Sequence, residues 1–137
     1  MKRLLLIASL LVCSSLLHAQ NVPYNVVFDL TSQDTNDHKM VIRWIREISK
    51  SRPDAQLEVV LYGQSLDMVT KDKSVAAAAI QELSANKNVS FKVCNAAMNR
   101  VHLDKTQLLP GVAVVPDGIY EIIAKQKEGF GYIKATH

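Results

Sequence analysis

Five short runs of β-forming residues alternate with segments of helical character, and this alternation restricts the fold more than any other feature of the chain. Strand, helix, strand order is typical of α/β proteins, in which each helix returns the chain to a neighbouring parallel strand. We therefore expect a three-layer α/β fold, with a mostly parallel five-stranded sheet and helices on both faces. The predicted strands are 24–30, 57–62, 89–94, 111–115 and 130–135, and the predicted helices are 38–51, 65–69, 75–85, 95–101 and 116–128.

Two predictions concern the C-terminal part of the chain. Residues 111–115 are almost wholly apolar, which is typical of a parallel strand covered on both faces. Pro116 suits the first position of the next helix, and Gly129 suits the position just after its end. The side chains expected on the buried side of that helix are Ile119, Tyr120, Ile122 and Ile123.

Residues 1–19 have the pattern of a secretory signal peptide. A basic start precedes the apolar residues 4–12, which are too few to span a bilayer, and Ala19 is small enough for the cleavage position. A lipoprotein signal acylated on Cys13 is the alternative, although a bulky residue precedes that cysteine. We expect an exported, periplasmic protein with no membrane anchor in its mature form, whose single domain is residues 20–137.

Charge gives no indication of nucleic-acid binding. The chain has 16 Lys and Arg against 13 Asp and Glu, and loss of Lys2 and Arg3 with the signal leaves 14 against 13, a net charge of +1. The basic residues are scattered, whereas a nucleic-acid binder gathers them on one face. We therefore expect no nucleic-acid partner.

Cys94 is the residue on which the functional hypothesis depends. It ends the predicted strand 89–94, where it alternates with the apolar side chains, so its sulfur is expected to face away from them. The helix that follows would place unpaired N–H groups near the sulfur and favour the thiolate, which is a nucleophile. The alternative is a small buried side chain at a strand end. Because Cys13 leaves with the signal, Cys94 has no intrachain disulfide partner.

Four further residues are expected near Cys94, because ligands of parallel sheets bind at the carboxyl ends of the strands. Tyr62 and Gly63 end the second strand, and Asn95 carries an amide suited to a sulfur-bearing or oxyanionic ligand. His102 follows the helix that Cys94 leads into, and it is either a base for the thiol or a solvated loop residue. The other three are equally consistent with turn or strand-end residues.

No metal and no cofactor is expected. The histidines His38, His102 and His137 are not spaced to place two of them on one helix face. No Gly-x-Gly-x-x-Gly motif follows the first strand, which argues against a dinucleotide.

Four stretches of the predicted domain form recognisable motifs. The most specific is 108–118, Leu-Leu-Pro-Gly-Val-Ala-Val-Val-Pro-Asp-Gly, and the others are 26–32, the strand end at Gly63, and 93–97. Together they resemble the DsrE/DsrF-like family, as an exported single-domain member, over essentially all of residues 20–137. The resemblance implies a domain that assembles into trimers or hexamers. It also implies a cysteine, at the position of Cys94, that accepts a persulfide and passes it on.

The leading hypothesis is therefore a homo-oligomeric protein that binds or transfers sulfane sulfur on Cys94, a possible sulfurtransferase or sulfur carrier. A sulfur donor or acceptor protein, or a small persulfide, would be its partner. One alternative is a binding or assembly module of the same fold without catalysis. Another is a thiol redox sensor, in which two Cys94 residues form an interchain disulfide at a symmetry axis.

Overall fold

A five-stranded parallel sheet forms the centre of the molecule. The computed structural model describes residues 22–137, so the predicted signal peptide lies outside the described residues. The strands are β1 (Asn25–Leu30), β2 (Gln56–Leu61), β3 (Val89–Cys94), β4 (Val112–Val115) and β5 (Gly131–Lys134). Their order is β4-β3-β2-β1-β5, and every neighbouring pair is parallel. This arrangement confirms the predicted α/β class and places β4 and β5 at the edges.

Helices connect the strands in the predicted alternation. They are α1 (Thr35–Ser51), α2 (Ala77–Leu83), α3 (Asn95–Arg100) and α4 (Gly118–Lys127), with two short 3-10 helices, Ser65–Val69 and Lys105–Gln107. α1 begins earlier than predicted because the Asp34 carboxylate accepts a hydrogen bond from the Asn36 N–H at 2.7 Å. No helix between residues 22 and 137 combines the length and the apolar content that crossing a bilayer requires.

One face of the sheet carries most of the hydrophobic core. Phe28, Val59 and Phe91 occupy aligned positions of β1, β2 and β3, and each is 0% exposed. Helices α1 and α2 pack on this face through Ile45 and Ile80, among other side chains. Each fully buried side chain of this size contributes roughly 1.5–3 kcal/mol of hydrophobic stabilisation. This face therefore supplies most of the driving force for folding.

The opposite face is more polar and is covered by α4. Ile122 of this helix packs on Val27 and Val60, which form a small apolar cluster. The same face also buries two carboxylic acids, Asp29 and Glu58. The packing of α4 against the sheet therefore depends on polar contacts as well as on apolar ones.

The burial predicted for α4 is wrong for three of the four apolar side chains. Ile122 is buried at 6% exposure, whereas Ile119, Tyr120 and Ile123 are 57%, 67% and 43% exposed. The helix also begins after the predicted Pro116, because the Asp117 carboxylate caps the N–H groups of residues 119 and 120. Since one narrow stripe of the helix meets the sheet, the other apolar side chains face outward.

The prediction that residues 111–115 are covered on both faces is also wrong. β4 is an edge strand that pairs only with β3 among the described strands, and Ala113 within it is exposed. The strand is covered only in part, since Val115 at its end is buried while Ala113 on the same face is exposed.

Helix α2 is shorter than the predicted helix 75–85. It starts at Ala77, and Ser74 lies before it. The Ser74 hydroxyl donates to the Met68 carbonyl oxygen and accepts from the Ala76 N–H at 3.1 Å. Ser74 therefore fixes a turn instead of capping the helix directly.

Two glycines offer a matched test of how tightly the core elements pack. Gly111 (φ +86°) and Gly129 (φ +93°) both lie in the left-handed region, but a Cβ at Gly111 would lie 2.6 Å from the Ser84 Cβ, whereas one at Gly129 would meet nothing within 4 Å. We expect Gly129→Ala to lower the free energy of unfolding by about 1–2 kcal/mol from backbone strain. Gly111→Ala should lower it by about 1–3 kcal/mol more, from overpacking. Urea titration of both variants measures the difference, and equal losses would contradict the described contact between residues 111 and 84.

Candidate functional site

Cys94 lies at the junction that the sequence predicted. It is the last residue of β3 and the N-cap residue of α3, with extended backbone angles (φ −72°, ψ 119°), and it is aligned with Val115 of β4. The carboxyl ends of β2 and β1 lie beside it because all of these strands are parallel. In the described part of the chain it is the one cysteine, and its thiol is free.

The thiol is buried, with Cys94 only 6% exposed. Its register places it on the more polar face of the sheet, as expected, but the N-terminus of α4 covers that position. A Cβ at Gly118 would lie 3.1 Å from the Cys94 Cβ and 3.2 Å from the Val60 Cγ1. Gly118 therefore allows the helix to approach Cys94 more closely than any other residue would.

Tyr62 is the aromatic neighbour of Cys94. It follows β2 directly and is half-buried. Its Cδ1 atom would lie 3.4 Å from a Cβ added at Gly118, the same added atom that would contact Cys94. Burial, followed by the nearby Asp29 carboxylate, raises the pKa of Tyr62 to about 12. Its hydroxyl is therefore neutral at physiological pH.

A polar cluster, formed by Asp29, Thr31, Tyr132 and Lys134, adjoins Tyr62 on the side away from Cys94. The Asp29 carboxylate is 5% exposed, and it accepts hydrogen bonds from the Tyr132 hydroxyl at 2.6 Å and the Lys134 Nζ at 3.1 Å. Lys134 Nζ also donates to the Thr31 Oγ1 at 2.8 Å and lies 5.8 Å from the centre of the Tyr62 ring. A fixed ammonium group therefore lies on the far side of the tyrosine ring.

Sequence reasoning missed Asp29, Tyr132, Lys134 and Gly118. The first three meet only because β5 pairs with β1, although they are separated by about a hundred positions in the sequence. The sequence contained one relevant signal. Polar residues occur at alternate positions of otherwise apolar strands, and this pattern indicates that one face of the sheet is partly polar. Gly118 belongs to the 108–118 motif, but no feature of the sequence indicated that it lies against Cys94.

The other predicted site residues divide into two groups. Asn95 is the first residue of α3, directly after Cys94, and is half-buried. Gly63 (φ +64°) and His102 (φ +55°) line a separate cleft of about 310 Å³, which Cys94 does not line. The structure therefore groups Cys94 with Tyr62 and Asn95, and it places Gly63 and His102 elsewhere.

Two of the predicted histidines, His38 and His137, have local structural partners. His38 is buried and its Nε2 lies 2.9 Å from the Ser32 carbonyl oxygen. His137 Nδ1 lies 2.7 Å from the Asp37 carboxylate. Among residues 22–137, no group of three or more His, Cys, Asp or Glu side chains is arranged to hold a metal ion.

Chemically, this site presents a single thiol at a strand end, beside a neutral phenol. A thiol in this position is able to form one covalent bond to an electrophilic sulfur. The cover supplied by α4 limits how large a reactant can approach it.

Comparison with known proteins places this arrangement in a family. The sequence profile of the DsrE/DsrF-like family matches residues 16–135, which is most of the chain. No curated protein matches the chain.

Solved structures show the same fold. A protein of unknown function from Methanobacterium thermoautotrophicum, MTH1491, is 29% identical, with a TM-score of 0.76 over 81% of this chain and 98% of its own. The ychN protein from E. coli is 13% identical, with a TM-score of 0.66 over 82% and 97%. BT1422 from Bacteroides thetaiotaomicron, a conserved protein of unknown function, is 17% identical, with a TM-score of 0.65 over 81% and 94%. By the span of the profile match, this chain belongs to the DsrE/DsrF-like family.

Proposed function

We propose that this protein is an exported carrier of sulfane sulfur, which it holds as a persulfide on Cys94. The observation that carries the proposal is the placement of a free thiol at the carboxyl end of a central strand, where α/β proteins bind their ligands. Family membership supports it, because the resemblance in the motif around Cys94 implies a persulfide-accepting cysteine.

The transfer step is a thiol exchange without net oxidation. The Cys94 thiolate attacks the outer sulfur of a donor persulfide, R–S–SH. A bond forms between Sγ and that sulfur, the donor S–S bond breaks, and its electron pair leaves on the thiolate R–S⁻. In the second half, an acceptor thiolate attacks the outer sulfur and regenerates the Cys94 thiolate. The donor and acceptor are each a persulfide-carrying protein or a small persulfide.

Only some of the predicted site residues lie beside Cys94. Asn95 and Tyr62 border the thiol and are the residues that we assign to substrate contact. Gly63 and His102 receive no role at the sulfur, because the cleft that they line is separate.

The proposed carrier is expected to gain sulfur at one position. Intact mass of the exported protein, after incubation with polysulfide, should increase by one or two sulfur atoms, and a reducing thiol should remove them. The same spectrum gives the N-terminus, which should be residue 20 if the signal is cleaved as predicted.

Cys94→Ser is the matched control and should gain nothing, because serine cannot form a disulfide bond to sulfur. Absence of an adduct on folded, reduced wild-type protein would favour a binding or assembly module instead. A dimer on non-reducing electrophoresis would favour the redox sensor, although the cover over Cys94 leaves little room for a second chain.

We also propose that the chain forms a homo-oligomer, a trimer or hexamer, through the outer side of α4. Ile119, Tyr120 and Ile123 form an exposed apolar surface on this helix, and large exposed apolar surfaces commonly mark protein contacts. Exposed Ala113 at the β4 edge is a further apolar position outside the core. The outward apolar side chains of α4 would then be buried against a second copy.

Tyr120→Glu should dissociate such an oligomer, because it places a charge within the apolar contact. Light scattering on size-separated protein should show the mass of one chain for the variant and a multiple of it for the wild type. Val101→Glu is the control, since Val101 is 57% exposed but lines the separate cleft that contains Gly63 and His102. Identical masses for all three proteins would contradict the proposed surface.

A further inference from the structure

A buried carboxyl pair joins α4 to the centre of the sheet. Glu58, in the middle of β2, is 5% exposed. Its Oε2 accepts a hydrogen bond from the Ser90 hydroxyl at 3.0 Å. Its Oε1 is fully enclosed, and no N–H or O–H group of residues 22–137 donates to it. A buried polar atom in this state requires an explanation, because a lost hydrogen bond in the interior is costly.

Glu121 of α4 is the neighbour that can supply the missing hydrogen. It directly precedes Ile122, which packs on Val27 and Val60 beside Glu58, and its carboxyl group contributes to the raised pKa of Glu58. Two carboxylates cannot bond to each other, since both are acceptors only, whereas a carboxylic acid and a carboxylate form a strong hydrogen bond through one shared proton. The enclosed oxygen is therefore satisfied when the pair holds one proton.

The remaining neighbours of Glu58 do not replace that proton. The titratable groups on this side of the sheet are Glu121 and Lys125 from α4, and Lys92 from β3, which lies two residues after the aligned Ser90 and donates no hydrogen bond to the enclosed oxygen. β1 presents the apolar Val27 at the aligned position. Lys125 is already bound, because its Nζ lies 2.8 Å from the Glu128 carboxylate and 5.1 Å from the centre of the Phe130 ring. Burial and the Glu121 carboxylate together raise the pKa of Glu58 to about 7.

Loss of the shared proton would weaken the attachment of α4. The buried residues of this helix are Gly118 and Ile122, so the apolar contact that opposes repulsion between two carboxylates is small. Gly118 is also the residue that covers Cys94. The carboxyl pair and the thiol thus lie beneath the same helix.

We propose that the proton shared by Glu58 and Glu121 holds α4 against the sheet, and that its loss frees α4 and exposes Cys94 to reactants. This makes access to the thiol pH-dependent. The inference rests on the proposed role of Cys94 as the reactive group, but the state of α4 is measurable without any sulfur chemistry.

The direction of the effect follows from the proton balance. The docked helix binds a proton up to about pH 7, whereas an exposed glutamate releases it near 4.5, so docking is strongest below pH 4.5 and weakens as the pH rises toward 7. If docking depends on this one proton, a Glu58 pKa of 4.5 with α4 undocked and about 7 with α4 docked makes the docking constant about fifty-fold smaller at pH 7.5 than at pH 5.

Hydrogen exchange of the α4 amides tests the first half of the proposal. After division by the intrinsic exchange rates, wild-type protection should fall at least tenfold from pH 5 to pH 7.5. Glu58→Gln should show constant protection, because an amide donates the required hydrogen bond at every pH. Glu121→Gln should show a smaller fall than the wild type, because it removes the carboxylate that raises the pKa of Glu58 but leaves the effect of burial. Glu47→Gln, a change on the exposed face of α1, should behave as the wild type. Constant protection in the wild type overturns the proposal.

The rate of Cys94 alkylation tests the second half. The ratio of the wild-type rate to the Glu58→Gln rate cancels the ionisation of the thiol itself, and it should rise at least tenfold over the same pH range. If hydrogen exchange shows that α4 is released but the ratio of the alkylation rates stays constant, the link between α4 and Cys94 is overturned. A response of α4 and of alkylation, without any persulfide in the mass measurement, supports the pH effect and removes the sulfur-carrier function instead.

Discussion

The close approach of α4 to the sheet at Gly118 is the contact on which the character of the site depends. Any side chain there would press on Cys94 and Val60, at distances that real Cβ atoms rarely reach. The glycine thus sets how near the helix N-terminus lies to the thiol and how much of the thiol is covered. Together with the parallel order of the strands, which brings Tyr62 beside Cys94, it converts an ordinary strand end into an enclosed site.

The two faces of the sheet divide stability and chemistry between them. The face under α1 and α2 is closely packed with aliphatic and aromatic side chains. The face under α4 contains two buried carboxylic acids, Asp29 and Glu58. Burying a carboxyl group is costly unless its hydrogen bonds are satisfied, so the stability of this face depends on its polar partners.

Periodicity was sufficient to predict the elements because both the strands and the helices here have regular apolar patterns. The strand that ends at Cys94 was predicted with its observed bounds, since alternation and a following helix former left no competing register. The same method failed for α4. Ile119, Tyr120 and Ile123 have the spacing of a buried stripe, but apolar spacing cannot distinguish a surface that meets the sheet from one that faces outward.

Contacts that depend on strand order were beyond the reach of sequence patterns. The polar cluster requires β5 to lie beside β1, and no local motif encodes the order of the strands across the sheet. Glu58 is the charged residue of an otherwise apolar strand segment, and a helix from the far end of the chain covers it. The sequence therefore predicted the position of the thiol in the fold, while the groups that control its surroundings came from pairing between distant segments.

In the proposed sulfur carrier, a buried thiol poses a physical problem that the proposed release of α4 would resolve. A persulfide must be shielded between transfers, because its outer sulfur reacts with any thiolate that reaches it. It must also be exposed during transfer, when a second sulfur approaches in line with the S–S bond. A helix attached by one apolar side chain and one carboxyl pair is able to meet both requirements, since its displacement disrupts little of the main core. The small contact of α4 with its own sheet is therefore consistent with the shielding and exposure that the proposed chemistry needs.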